Sequence, residues 1–232
     1  MMSSRGPVAH WLAARFGYTP LHDELFTMAL THRSASGTNN ERLEFLGDAV
    51  LNLLVAEHLY ERFPDADEGD LSRLRARVVS AEPLAQLAQQ LGIGDMLQLG
   101  GGELKTGGFR RQSILADALE AVIGAVFMDR GIDAARAQVL PLVTPLIQQL
   151  PEPSALKDPK TRLQEWLQAH GEPLPEYRVV SVSGEAHEQN FVVECALETR
   201  GCRAAGAGTS RRRAEQQAAV KLLEVLGTGQ RP

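Results

Sequence analysis

Apolar residues recur at spacings of three and four along the first 150 residues, a pattern typical of amphipathic α-helices. The periodicity predicts helices at about 22–32, 40–62, 69–79, 82–91, 110–129 and 132–149. Two stretches interrupt it, 63–69 and 91–109, and the glycines of the second, such as Gly100 and Gly107, predict a flexible loop. We therefore expect an all-α domain over 8–150.

The pattern changes after a proline-rich segment. PEPSALKDP has three prolines in nine residues, so 151–158 are expected to be an extended linker. Beyond it, apolar spacing predicts a short amphipathic helix, alternation predicts three strands, and Ser210 is expected to cap a closing helix that stops at Gly227. These elements lie at 160–171, 177–184, 190–198, 202–208 and 210–227. The order helix–strand–strand–strand–helix predicts a small α+β domain over 159–228.

Composition limits the class of protein. Of 232 residues, 44% are hydrophobic and 23% charged, which excludes a mostly disordered chain. No apolar run approaches the roughly 18 residues of a membrane span, and the N-terminus lacks the apolar core of a secretory signal, so no membrane association is expected. Two cysteines, Cys195 and Cys202, form neither a disulfide framework nor a zinc motif and favour a cytoplasmic location.

Net charge alone does not suggest a nucleic-acid-binding protein. The chain carries a charge of −5, all of it in residues 1–150, where 13 Lys and Arg face 18 Asp and Glu. Residues 151–232 contain 11 of each sign. Because nucleic-acid-binding domains are usually basic, a proposal of that kind must rest on where individual charges lie.

The segment 40–59 predicts a helix that is apolar nearly all round, with carboxylates on one face. At about 100° per residue, Glu41, Glu44 and Asp48 fall within about 60° of one another. Leu53 is expected in an apolar stripe on the side of the helix opposite these carboxylates. A helix of this kind is usually buried, and crowded carboxylates in a partly buried place are costly unless they are protonated, paired or bound to a cation.

A second acid pair lies in the segment 113–129. Asp117 and Glu120 are three residues apart, hence neighbours on one helix face, and no Lys or Arg occurs between Gln112 and Met128. Two such helices could place four or more carboxylate oxygens in one cleft, a set that suits hard divalent ions such as Mg²⁺ or Mn²⁺. These ions activate water and stabilise charge on a phosphoryl group.

An ordinary explanation stays open on these residues alone. The acids could lie on exposed faces or form ion pairs with Arg42, Arg73, Arg75 or Arg77. The Glu-x-x-His pair of di-iron bundles and the HExxH motif of zinc enzymes are both absent from the sequence. His32 has no nucleophile in view, so we interpret it as a structural hydrogen-bonding residue.

The chain resembles bacterial ribonuclease III. NERLEFLGDAVL (40–51) is similar to the family signature. THRS (31–34), DEGDLSRLRARVV (67–79) and GGFRRQSILADALEAVIGAVFMD (107–129) also match, and the resemblance covers about residues 8–226. It implies a Mg²⁺-dependent endoribonuclease that cuts double-stranded RNA, with Mn²⁺ able to substitute.

The resemblance also implies roles for individual residues. Three carboxylates match the family's metal ligands: Glu44, Asp117 and Glu120. Asp48 and Glu120 match the positions that carry the catalytic role. Glu41 and Glu68 match further acidic positions of the active-site valley, nearer the dimer interface and the RNA.

The last predicted helix begins with Arg211, Arg212 and Arg213, although the positive end of a helix dipole disfavours cations there. An anion at this end would explain the placement, because amide N–H groups and arginines would converge on phosphates. A solvated basic patch is the alternative.

The C-terminal module resembles a double-stranded-RNA-binding domain, which recognises A-form RNA by shape across two minor grooves. By this resemblance, the following residues approach minor grooves: Thr161, Gln164, Gln168 and His187. Arg211 and Arg212 match the basic pair at the phosphates. Glu215 stands where many relatives carry a third lysine, and together with the zero net charge this suggests modest affinity. Trp166 and Tyr177 are interpreted as core residues.

The resemblance further implies a homodimer formed by the catalytic domain, with two-fold symmetry that matches a duplex. Each subunit would cut one strand and leave 5′-phosphate and 3′-hydroxyl ends with a short 3′ overhang. The implied substrates are ribosomal RNA precursors and structured messenger RNAs such as hairpins. The alternative is a non-catalytic double-stranded-RNA-binding protein, which need not retain Glu44, Asp48, Asp117 and Glu120.

Overall fold

The computed structural model describes residues 6–152, 157–185 and 188–228. The chain forms two compact units, Met1–Pro153 and Ser154–Pro232. The first is helical, and the second combines helices with a three-stranded antiparallel sheet, which confirms the predicted fold class.

The first unit consists of helices joined by short connections. They are α1 (Pro7–Phe16), α2 (Asp23–Ala29), α3 (Glu41–Arg62), α4 (Glu68–Val78), α5 (Ala81–Gln90), α6 (Ile93–Met96), α7 (Gly101–Lys105) and α8 (Gln112–Gln148), with a 3₁₀ turn at Gly108–Arg110.

Two segments of this unit differ from the prediction. Helix α1 lies outside the predicted helices, although Gly17 ends it at φ +62° as C-terminal glycines do. The segment 91–109, expected to be a flexible loop, contains α6, α7 and the 3₁₀ turn. A Cβ on Gly94 or Gly100 would overlap the carbonyl of Phe109 or Ser34, so these two glycines permit close packing rather than flexibility.

Helices α3 and α8 form the centre of the unit. Leu51, Leu54 and Leu119 are fully or almost fully buried there. Helix α8 changes direction at Gly131, whose φ of +77° and ψ of −171° are not helical, and this agrees with the predicted break after 129. The expectation that α3 is buried nearly all round is wrong: Leu53, on the side away from Glu44, is 58% exposed, because the helix is buried on only part of its circumference.

A single carboxylate holds the chain between α1 and α2. The buried Asp129 of α8 accepts hydrogen bonds from the hydroxyl of Tyr18 at 2.6 Å and from the amides of Leu21 and His22 at 3.0 and 2.9 Å. Burial disfavours its charged form, but these donors outweigh burial and lower the pKa of Asp129.

The second unit has the order α9 (Pro159–Ala169), β1 (Glu176–Ser183), β2 (Asn190–Leu197), a 3₁₀ turn (Glu198–Arg200), β3 (Cys202–Gly208) and α10 (Arg211–Thr228). The strands pair in the order β1-β2-β3, with Val193 opposite Val179 and Gly206. The register shifts between Val179 and Ser181.

The core of the second unit lies between the sheet and its two helices. Leu163 and Leu167 of α9, Cys195 of β2 and Leu222 of α10 are fully buried there. A Cβ on Gly206 would overlap the backbone of α10, so this glycine lets β3 approach the helix closely. Trp166 and Tyr177 pack against this core, as the sequence predicts.

Candidate active site and nucleic-acid interface

Two glycines let the backbones of α3 and α8 come into direct contact where the helices cross. A Cβ on Gly47 would overlap the carbonyl of Glu120, and a Cβ on Gly124 would overlap the carbonyl of Leu43. Glu44 and Glu120 each precede one of these glycines by about one helical turn. The crossing therefore brings the two acid-bearing helices together beside their carboxylates.

Glu44, Asp117 and Glu120 converge at this crossing. One carboxylate oxygen from each lies within 4.8 Å of the others, and all three residues are partly buried. Asp48 is exposed one turn beyond Glu44, and its Oδ1 accepts a hydrogen bond from Asn52 Nδ2 at 2.7 Å. The predicted metal ligands thus form one group, which we name the acid cluster: Glu44, Asp117 and Glu120.

The acid cluster is electrostatically strained. Burial, reinforced by the charges of Asp48, Asp117 and Glu44, raises the pKa of Glu120 to about 8. Burial and the neighbouring Asp117 and Glu41 raise the pKa of Glu44, and burial raises that of Asp117. Each carboxylate would be ionised more easily if a cation were bound among them.

Positive groups from the segment before α3 act on the acid cluster. Arg33 Nη1 donates to Glu41 Oε1 at 3.0 Å. Arg33 and His32 both act to lower the pKa of Asp117, but burial outweighs them. Within the described ranges no Lys or Arg forms an ion pair with the acid cluster, and Arg73, considered above as a partner, contacts Asp70 at 2.7 Å. The sequence pattern does not indicate Arg33 as a site residue, because no spacing rule links the loop 30–40 to α8.

His32 has the hydrogen bonds expected of a structural residue. Its Nδ1 accepts from the amide of Ser34 at 3.2 Å and lies 2.8 Å from Ser34 Oγ. Ser34 Oγ in turn accepts from the amide of Gly100 at 2.9 Å. Because Nδ1 is an acceptor here, the proton of the neutral ring is on Nε2.

Glu41 and Glu68 lie in different places. Glu41 borders the acid cluster, whereas Glu68 is exposed at the start of α4 and accepts from Ser72 Oγ at 2.9 Å. Glu68 lines a groove of about 760 Å³ together with Leu53 and Tyr60 of α3. Within a single chain, Glu68 is therefore not part of the acid cluster.

Three of the predicted RNA-contacting residues share one exposed face of α9. Thr161, Gln164 and Gln168 are all exposed at spacings of three and four, so they follow one side of the helix. His187 lies outside the described residues.

The start of α10 presents arginines that are paired with acids. Ser210 Oγ accepts from the amide of Arg213 at 3.2 Å, which is the predicted cap. The buried Glu215 accepts from Arg211 Nε at 2.8 Å and from Lys160 Nζ at 2.6 Å. Arg212, whose side chain is 83% exposed, lies 3.9 Å from Asp158. The basic pair is thus partly neutralised within the unit itself.

Known proteins share both units of this chain. A family model described as Ribonuclease-III-like matches residues 22–146, and one described as Double-stranded RNA binding motif matches 159–226. The chain is 55% identical over 216 residues to Ribonuclease 3 of Pseudomonas fluorescens, covering 93% of this chain and 94% of the relative. It is 50% identical to Ribonuclease 3 of Vibrio cholerae, covering 96% and 99%. The chain belongs to the ribonuclease III family.

Solved structures agree with this assignment. The nuclease domain of ribonuclease III from Campylobacter jejuni superimposes with a TM-score of 0.59 at 40% identity, covering 63% of this chain and all of that one. This ribonuclease III is therefore an endoribonuclease with a double-stranded-RNA-binding domain. Among the described residues, no helix is both long and apolar enough to cross a membrane.

Proposed function

We propose that this ribonuclease III cleaves double-stranded RNA by Mg²⁺-dependent hydrolysis at the acid cluster. The observation that supports this most strongly is the convergence of Glu44, Asp117 and Glu120, one oxygen from each lying within 4.8 Å of the others. We assign catalysis to residues 8–150 and RNA binding to 159–228, joined by a linker at 151–158.

The donor set fits a hard divalent cation. Its ligands are carboxylate oxygens, each with a pKa raised by burial, and no Lys or Arg among the described residues is ion-paired with them. In our proposal Glu44, Asp117 and Glu120 hold Mg²⁺, and Mn²⁺ substitutes for it. When bound, the ion activates water and stabilises the charge that develops on the phosphoryl group.

Asp48 and Glu120 orient the attacking water in this proposal. Asn52 fixes the Asp48 carboxylate at the edge of the acid cluster. The water oxygen forms a bond to phosphorus, the bond between phosphorus and the 3′ oxygen breaks, and a proton from water passes to that oxygen. The products are 5′-phosphate and 3′-hydroxyl ends.

An exposed apolar stripe on α3 supports a homodimer. Phe45, Leu53 and Tyr60 are 80%, 58% and 72% exposed, and they fall within about 80° of one another around the helix. Apolar patches of this kind mark interaction surfaces. In Campylobacter jejuni, a solved nuclease domain is described as having a flexible region involved in dimer formation.

A second copy that covers the stripe would lie next to the groove that contains Glu68. The carboxylates of Glu41, Glu44 and Asp48 occupy the adjacent face of α3. In this proposal, a dimer formed through the stripe has one acid cluster at each edge of its interface, one for each strand of the duplex, and Glu41 and Glu68 take supporting positions. Staggered cuts by the two sites would leave the short 3′ overhang.

The second unit brings the duplex to this dimer. Thr161, Gln164 and Gln168 face the minor groove in our proposal, and Arg211 and Arg212 contact phosphates. We extend the minor-groove contacts to His187 on family resemblance alone. Shape recognition of this kind suits ribosomal RNA precursors and messenger RNA hairpins, which are double-stranded without sharing a sequence. The two free cysteines suit the reducing cytoplasm, where we place the protein.

The test is cleavage of an end-labelled RNA duplex by the full chain, with and without Mg²⁺, followed by sequencing of both ends. We expect paired cuts on opposite strands, offset to give a 3′ overhang, with 5′-phosphate termini. Single-stranded RNA and duplex DNA of the same sequence are the controls. Duplex binding without cleavage at any Mg²⁺ concentration would contradict the proposed function.

A further inference from the structure

Asn40 occupies the N-cap position of α3 but its side chain forms no capping hydrogen bond. Asparagine is among the residues that cap helices best, so this is unusual. The cause is local: Asn40 has φ −81° and ψ −14°, in the helical region rather than the extended region of capping residues. The neighbouring Asn39 accepts from the amide of Glu41 at 3.0 Å instead.

The Asn40 side chain is also buried, and its N–H donor is unsatisfied. The residue is 2% exposed, and its Nδ2 has no hydrogen-bond partner among the residues that the structure describes. Its backbone groups, in contrast, are satisfied: the amide donates to the Thr31 carbonyl at 2.9 Å, and the carbonyl accepts from the Glu44 amide at 2.8 Å. A buried donor without a partner carries a desolvation cost, so a native protein that retains one calls for an explanation.

The position of this donor suggests its purpose. Asn40 lines a cleft of about 160 Å³, far more than the roughly 10–15 Å³ that one water needs. The lining falls into two chemical classes. Carboxylates are contributed by Glu41, Glu44 and Asp117, and hydrogen-bond donors by His32, Arg33 and Asn40.

The two classes together match a phosphodiester next to a cation. Glu44 and Asp117 belong to the acid cluster, so the proposed function already assigns these two lining residues to the metal. A group that satisfies the donors is an acceptor, and one that takes part in the reaction reaches the cleft together with the substrate. The non-bridging oxygens of an RNA phosphate meet both conditions, because they are negatively charged acceptors.

We propose that Asn40 is a substrate-positioning residue: its amide, whose Nδ2 is buried in this structure, turns towards the cleft when RNA binds and donates a hydrogen bond to a non-bridging oxygen of the phosphate that is cut. This assignment rests on the proposed function of the acid cluster. Arg33 and His32 line the same cleft, and Arg33 is paired there with Glu41. The amide holds the phosphate against the acid cluster, so its contribution is to the cleavage step rather than to overall duplex affinity.

The test pairs Asn40→Ala with a sulfur substitution in the RNA. Duplexes carry one phosphorothioate at the cut site, with the two diastereomers separated, and single-turnover cleavage by the full chain is measured at saturating protein in Mg²⁺. We expect Asn40→Ala to slow the all-oxygen duplex about 10- to 100-fold. For one diastereomer the same mutation should slow cleavage by less than about three-fold, since the hydrogen bond is already lost.

Multiplicative effects of mutation and sulfur for both diastereomers would overturn the proposal. A phosphorothioate placed several nucleotides from the cut is the substrate control and should leave the effect of Asn40→Ala unchanged. Failure of the proposed function itself would look different, because the wild-type protein would then cut none of these duplexes.

Protein controls separate positioning from folding. Asn39→Ala should lower the melting temperature through loss of the Glu41 contact, yet keep the wild-type ratio of oxygen to sulfur cleavage rates. Asn40→Ala should keep the wild-type melting temperature within a few degrees and bind duplex in Ca²⁺ within about two-fold of wild type. If Asn40→Ala does not fold, Asn40→Asp preserves the shape while replacing the donor with an acceptor. Wild-type cleavage by Asn40→Asp would equally overturn the proposal.

Discussion

Among single side chains, Glu215 partly neutralises two cations of the second unit, Lys160 and Arg211. It is 8% exposed and contacts both Lys160 and Arg211, and these two cations lower its pKa against the effect of burial. A phosphate that approaches Arg211 therefore meets a guanidinium already paired with a carboxylate. This arrangement gives a structural reason for the modest affinity expected from the sequence.

Two variants test this reasoning. Glu215→Gln removes one negative charge while nearly keeping the shape, and we expect duplex affinity to rise roughly three- to ten-fold.

Arg211→Ala with Arg212→Ala should weaken binding to all duplex sequences alike and make the slope of log affinity against log salt shallower by about one unit per lost contact. Fluorescence anisotropy over a salt series measures both. An unchanged slope would show that the arginines are only a solvated patch.

At the scale of elements, the crossing of α3 and α8 determines whether the acid cluster forms. Gly47→Ala would place a methyl group against the Glu120 carbonyl, and neither backbone can move without disturbing buried side chains. We expect a loss of about 3 kcal/mol or more in the free energy of unfolding. Gly101→Ala, which has nothing within 4 Å of the added Cβ, is the matched control. Urea unfolding of both variants measures the difference, and equal midpoints would contradict it.

Asp129 connects elements through its charge, and its contribution depends on pH. Its folded pKa is lowered, so the unfolded chain binds more protons as pH falls below about 4. The stabilisation is therefore present above that pH and is lost as pH falls through the folded pKa. We expect Asp129→Asn to cost about 2–4 kcal/mol at pH 7 and less at pH 3. A cost independent of pH, measured by thermal unfolding, would show that the charge has no role.

The sequence predicts those elements whose chemistry is local. The acids of α3 and α8 share a helical spacing, and the alternation in β2 and β3 is clear, so these elements and the acidic helix faces follow from one-dimensional patterns. The convergence of the acids does not, because it depends on the contacts of Gly47 and Gly124 between the two helices. The pattern does not predict helix α1, and its prediction of a flexible loop at 91–109 is wrong. The actual reason for Gly94 and Gly100 is contact with Phe109 and Ser34, and for Ser34 that contact comes from a distant part of the chain. The same limit explains why Arg33 and Asn40 were not identified beside Asp117.

At the scale of the whole molecule, the two compact units imply separable roles. A fragment of residues 1–150 retains every proposed metal ligand and the apolar stripe of α3. We expect it to fold, to remain dimeric, and to cut duplex RNA at low salt but lose activity at lower salt than the full chain, because the tethered RNA-binding unit raises the local RNA concentration. Sedimentation and a salt titration of cleavage measure this. A monomeric fragment, or a folded one inactive at every salt and metal concentration, would place the interface or the site elsewhere.

The most direct test of the account is a Mg²⁺ titration of single-turnover duplex cleavage by the wild-type chain and by Glu120→Gln. The substitution removes one charge from the acid cluster and nearly keeps its shape. We expect saturable Mg²⁺ dependence in the wild type and a loss of about 100-fold or more in the variant at saturating Mg²⁺, with duplex binding in Ca²⁺ largely kept. Near-wild-type cleavage by Glu120→Gln at saturating Mg²⁺ would contradict the assignment of the acid cluster as the catalytic metal site.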